Sequence, residues 1–211
     1  MYKTFTNLKT SIATAAAALA LLASGPTTAG PGKPGVNPIA PGGTIIDIAL
    51  EVNDEGAGEF NGLLSAVLCF GPVDDNPIVD LLSGSDKYTL FAPVDSAFSD
   101  LLDRLSEIYE TDITSPCQLD PELLFTVLAY HVSEGRRFSN SVFNGKNSKE
   151  IDMLAGGYVV SFVDAVDGPM LHDADGQMVS VDSQLFDINA SNGVIHVIDT
   201  VLLPIDLPEI D

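Results

Sequence analysis

Asn189-Ala190-Ser191-Asn192-Gly193-Val194-Ile195-His196-Val197-Ile198-Asp199-Thr200-Val201-Leu202-Leu203-Pro204 reads as an Asn-Gly turn feeding a short strand that ends on a proline. Glycine at the turn allows a positive φ, and alternate residues of the strand then face opposite sides. Val194, His196 and Ile198 share one side, Ile195 and Val197 the other. Both sides are largely apolar, as expected of a strand buried between two layers. In that position His196 is expected to be a hydrogen-bonded structural histidine rather than a ligand.

Working back from this strand, short alternating segments at residues 151–154, 158–163, 170–172 and 178–181 are separated by turn residues and predict further strands. Earlier still the periodicity is helical. Thr44 is placed to cap a helix carrying Ile45, Ile46, Ile48, Ala49 and Val52, which should stop in the polar stretch 53–56. A second amphipathic segment holds Phe60, Leu63, Leu64, Val67 and Leu68, and a third follows Pro77. Residues 88–92 predict a strand ended by Pro93, after which Asp95 is expected to cap a helix bearing Phe98, Leu101, Leu102, Leu105 and Ile108. Asp120-Pro121-Glu122 is a helix start, with Leu123, Leu124, Val127 and Leu128 behind it. Helices early and strands late predict an α+β fold with helices packed on a β-sandwich.

Two more segments, Tyr88-Thr89-Leu90-Phe91-Ala92-Pro93-Val94-Asp95-Ser96-Ala97-Phe98 and Leu128-Ala129-Tyr130-His131-Val132, precede the closing stretch. In this order the three resemble the motifs of the fasciclin domain, and the resemblance covers roughly residues 44–204. It implies a fasciclin-like, wedge-shaped β-sandwich with several helices packed along one side. It also implies structural roles for Tyr130 and His131, at the junction of helix and strands, and for Asn192, Gly193 and His196. Asp187 and Ile188 align with an aspartate-isoleucine pair that contributes to integrin binding in animal members of the family, although the following leucine is Asn189 here. They are therefore the candidate partner contact; the competing reading makes Ile188 core and Asp187 a solvated strand end. The family's members are extracellular adhesion and interaction modules.

The ends of the chain agree with export. Lys3 and Lys9 precede an apolar run at 12–23, too short to span a bilayer, and Thr27-Thr28-Ala29 offers the small residues of a cleavage site. Residues 1–29 are expected to be a signal peptide, with cleavage after Ala23 as the alternative. Residues 30–43 form a Pro/Gly-rich linker, 44–204 the domain and 205–211 a short acidic tail. The protein is expected to be secreted, periplasmic or on the cell surface. With no cysteine after the apolar run and no apolar tail, neither a lipid anchor nor membrane insertion is expected. Cys69 and Cys117, an even count in an oxidising compartment, predict a disulfide, with two buried free thiols as the competing reading.

Thirty acidic residues against nine basic give a formal charge of −21. Losing Lys3 and Lys9 with the signal takes two of the nine and leaves −23. That sign repels phosphate backbones and anionic lipid, so nucleic acid and membrane surfaces are poor candidate partners and neither is expected, whereas extracellular or cell-surface protein or polysaccharide is. The loops Asp164-Ala165-Val166-Asp167-Gly168 and His172-Asp173-Ala174-Asp175-Gly176 place carboxylates beside glycines but lack the third ligand position and closing glutamate of an EF-hand. Asp175-Gly176 reads as a hairpin turn. No cofactor is expected, with a weak shared calcium site at these loops as the one exception. No nucleophile elbow, paired zinc histidines or phosphate-cradling glycine loop is present. The expected function is a non-catalytic adhesion or matrix-association module. The alternative is an exported small-molecule or carbohydrate binding protein, or a hydrolase with an acidic cleft.

Overall fold

Thr44 opens the first helix reciprocally. Its hydroxyl accepts the Asp47 amide at 3.3 Å, while the Asp47 carboxylate accepts the Thr44 amide and hydroxyl, each at 2.8 Å. This satisfies donors that the first turn would otherwise leave unpaired. The computed structural model describes residues 43–52, 59–143, 145 and 147–208. The expected signal peptide, nearly all of the expected linker, the expected helix stop at 53–56 and the final residues 209–211 lie outside the described residues.

Within them the helices are α1 (Ile45–Val52), α2 (Asn61–Leu68), α3 (Pro77–Ser83), α4 (Asp95–Ile108), α5 (Pro121–Ala129) and α6 (Ser139–Val142). The strands are β1 (Tyr88–Pro93), β2 (Val132–Glu134), β3 (Lys149–Asp152), β4 (Tyr158–Asp164), β5 (Gly168–His172), β6 (Met178–Ser180), β7 (Ile188–Ala190) and β8 (Gly193–Ile198). Asn76 caps α3 by accepting from the Ile78 and Val79 amides, and Asp120 caps α5 by accepting from those of Glu122 and Leu123. In both helices a proline takes the first position, where no amide is needed.

One sheet has the order β2-β1-β8-β7 and the other β3-β4-β5-β6. At the centre of the first, β1 and β8 run parallel, in register from Tyr88 opposite Gly193 to Pro93 opposite Ile198. Their alternation divides the core. Leu90, Ala92, Ile195 and Val197 pack with Leu63, Val67, Leu82, Leu124 and Leu128 of the helices. Phe91 and Ile198 pack with Ile151, Val159, Leu171 and Val179 of the second sheet. A strand buried on both faces is what the apolar run at 194–198 requires, and the α+β architecture follows from it.

Several expectations are corrected. The strand β2 and the short helix α6 have no counterpart in the sequence reading. Asp95 does not cap its own helix, whose N-cap position is Val94. Its carboxylate instead accepts the Gly62 amide at 2.7 Å and the Asn61 side-chain amide at 2.8 Å, so it caps α2 from across the fold. Leu207 is buried in the helix-side core and its amide donates to Asp175 at 2.5 Å. The packed domain therefore runs past Pro204 into the expected tail. Cys69, at the end of α2, and Cys117, in the 3-10 turn Pro116–Gln118, form a disulfide across 48 residues of sequence.

Candidate functional site

The β7–β8 hairpin is held by side chains that the sequence marked, but for reasons it did not show. Asn192 is buried. Its carbonyl oxygen accepts the Ile45 amide at 2.8 Å, and its amide nitrogen donates to the Leu82 carbonyl at 2.6 Å and the Gly84 carbonyl at 3.1 Å. One side chain thus ties the start of α1 and the end of α3 to the hairpin. Gly193 does not have a positive φ, contrary to expectation. Glycine is required there by crowding, because a Cβ would stand 2.3 Å from the Tyr88 carbonyl oxygen and 2.5 Å from the Ile45 side chain. Arg136, unmarked by the sequence, straps the same hairpin by donating to Asn189 Oδ1 at 2.8 Å and to the carbonyls of Ala190 and Gly193.

Both buried histidines are neutral by geometry. His131 Nδ1 faces the Val127 carbonyl at 2.7 Å and therefore carries hydrogen; Nε2 accepts the Leu202 amide at 2.9 Å and is therefore bare. Burial pulls its pKa down to about 4. His196 has the opposite tautomer, with Nε2–H donating to the Arg137 carbonyl at 2.8 Å and Nδ1 accepting the Asp187 amide at 3.3 Å. Burial lowers its pKa too, against a raising pull from the Asp187 carboxylate. Tyr130 donates its hydroxyl to the Tyr158 carbonyl at 2.7 Å, and burial pushes its pKa up to about 12. Tyr130 and His131 thus join the end of α5 to β4 and to the segment after β8.

Ile188 is core, whereas Asp187 is neither a solvated strand end nor a free carboxylate. It adopts a left-handed φ of 60°, and its oxygens accept the Ser139 amide at 2.6 Å and hydroxyl at 2.5 Å. Asp187 thereby anchors α6 beside His196, whose Nδ1 lies 3.9 Å from Oδ1. Serine, aspartate and histidine meet here, but their bonding is not that of a hydrolytic triad. The serine proton goes to the aspartate, the histidine accepts a main-chain amide where it should donate to the carboxylate, and its other nitrogen is spent on a carbonyl.

The acidic loops are also internally engaged. Asp173 accepts from the Gln177 amide and side chain and from the Leu203 amide. Burial is the largest influence on Asp173 and raises its pKa despite those donors. Asp175 pairs with Arg104 at 2.5 Å, and Asp164 accepts the Val166 and Asp167 amides. Among the described residues no three histidine, cysteine or acidic side chains are grouped to hold a metal ion. A polar cleft lined by Asp100, Arg104, Gln177 and Asp199 has a volume of about 110 Å³. That is small beside the roughly 300–1,000 Å³ of ligand pockets.

A larger concavity lies between α3 and α5. It has a volume of about 480 Å³ and is walled by Ile78, Leu81, Phe125, Ala129, Val132 and Leu154. Phe125 is 44% exposed at its edge, with its ring set edge-on against Phe70 at 5.9 Å. The sequence held one signal of it. In α5 the buried face is already supplied by Leu124, Val127 and Leu128, so Phe125 is an apolar residue left over on the outer side.

The chain matches the family model for the Fasciclin domain over residues 71–204. It is 33% identical over 162 residues to the uncharacterized protein sll1735 of Synechocystis sp., covering 75% of this chain and 96% of the relative. Protein sll1483 of the same organism is 32% identical over 162 residues, covering 75% of this chain and 76% of the relative. Among solved structures, a FAS1 domain pair from the insect cell adhesion molecule Fasciclin I is 18% identical with a TM-score of 0.41. That match covers 74% of this chain, which spans 44% of the pair.

Proposed function

Because the chain belongs to the Fasciclin domain family, we propose that it is an exported adhesion or matrix-association module that binds protein or polysaccharide partners without catalysis. The observation that carries the reading is the bonding around Asp187. The one grouping of serine, histidine and aspartate described above is consumed in holding α6 and β8, which leaves no activated nucleophile there. The disulfide supports an oxidising compartment and hence export. No helix among the described residues is long and apolar enough to cross a membrane. We assign no cofactor, since Asp173 and Asp175 already have protein donors. The small volume of the polar cleft speaks against a sugar-cleaving site.

Capture tests this directly. The protein, immobilised with its disulfide intact, is exposed to surface extract and to polysaccharide from the cells that export it. Saturable retention of a macromolecular partner, with no soluble product released, is expected. Turnover of a glycoside, ester or peptide that disappears on substituting a carboxylate would contradict the proposal.

A further inference from the structure

We propose that the groove between α3 and α5 receives a cationic amphipathic segment of a partner protein, with apolar side chains in the groove and lysine or arginine against its rim. This rests on the adhesion-module reading and names the surface and the partner's chemistry. The groove's size, about 480 Å³, suits several apolar side chains. Phe125 stands half in water at its edge, yet its ring is already held by Phe70, so little ordering is needed on binding.

Charge decides the occupant. The turn before α3 and α3 itself carry Asp74, Asp75 and Asp80, all exposed. The start of α5 carries Asp120 and Glu122. Neither helix, nor the turn leading into it, contains a lysine or arginine. Glu122 lies one turn before Phe125 and Thr126, on the same stripe of α5. The described basic side chains are engaged elsewhere: Lys87 on the Ser191 carbonyl, Arg104 on Asp175, Arg136 on the hairpin, Arg137 on Ser133 and Lys149 on the Ser141 carbonyl. An anionic segment would meet flanking helices of its own sign, whereas a basic amphipathic helix matches both the apolar groove and the exposed carboxylates that α3, α5 and the turns leading into them carry.

The chain contains no tryptophan, so a peptide carrying one reports its own burial. The probe is a synthetic amphipathic helix of leucine and lysine with a single tryptophan on its apolar face. Its counterpart has glutamate in place of every lysine. With the full chain, the lysine peptide should show a blue-shifted emission and saturable binding that weakens with salt. Phe125→Ala should weaken it about tenfold, as loss of one aromatic anchor does. The exposed pair Asp74→Lys and Glu122→Lys should weaken it comparably and flatten the salt dependence. Equal affinity for Phe125→Ala, or equal binding of the glutamate peptide, would overturn the proposal. Full surface retention of Phe125→Ala would overturn the groove as the docking site and leave the adhesion reading standing. Groove-dependent peptide binding by a chain that is never retained at a surface would support the groove and sink the adhesion reading alone.

Discussion

Replacing Asn192 by alanine should damage the fold more than any exposed substitution, and the size of the effect can be worked from its three hydrogen bonds. The Ile45 amide and the Leu82 carbonyl lose their partners at 2.8 and 2.6 Å inside the protein. An orphaned buried polar group costs roughly 1–3 kcal/mol, so these two together cost about 4 kcal/mol. The Gly84 carbonyl, bonded at 3.1 Å from an exposed residue, adds less because water replaces the lost donor. Set against the roughly 5–15 kcal/mol that holds a domain together, this is a large fraction. At about 2–4 °C per kcal/mol for a domain of this size, the melting temperature should fall by about 12 °C. Urea unfolding followed by far-UV circular dichroism, alongside a thermal scan, measures both quantities. Asn192→Asp keeps the acceptor for Ile45 but sets a carboxylate against the Leu82 carbonyl, so it should rescue little. A loss below about 0.5 kcal/mol for Asn192→Ala, the range of ordinary surface changes, would refute the reasoning.

Further outcomes follow from the same geometry. Gly193→Ala should fail to accumulate as folded protein or should melt far below the parent, because its Cβ meets the Tyr88 main-chain oxygen at 2.3 Å and the central β1–β8 pair cannot give way; soluble yield and a thermal scan check it. Stability should be highest above pH 6.5 and decline as the pH falls towards about 4, because in that window the unfolded chain protonates a histidine that the fold keeps neutral at His131. The contribution of His131 is on the order of 3 kcal/mol, His196 acts in the same sense, and the raised Asp173 opposes both near the acid end; urea unfolding at several pH values with imidazole titration by NMR reads it. Asp187→Ala should cost about 1–2 kcal/mol by freeing the Ser139 amide, more than a solvated strand end would, and urea unfolding decides between them.

The parts of this fold that could be read from sequence are those whose cause is local. Asp120 and Asn76 cap helices two and three residues away, and the run at 194–198 shows its double burial in its own composition. Asp95 misled because its partner is the amide of Gly62, 33 residues distant, and nothing near Asp95 indicates it. At Gly193 the cause is out of reach of the sequence, since crowding by Tyr88 and Ile45 exists only once β1, β8 and α1 meet. The strand β2, three residues that follow α5 with no turn residue between them, is not set apart in the sequence as the equally short β6 is. Asp187 looked like a free carboxylate because α6 gives no sequence signal of its own. The groove was invisible for a related reason: it belongs to the facing of α3 and α5, and only the surplus Phe125 betrayed it.

Attachment measured on living cells tests the central claim most directly. Cells from which the chain has been deleted are mixed with the purified, disulfide-intact protein, and their attachment to one another or to their matrix is quantified alongside any product released from surface polysaccharide. Dose-dependent restoration of attachment, with no product released, is the expected result. Attachment unchanged at every concentration, or catalytic release of surface material by the protein, would contradict the account.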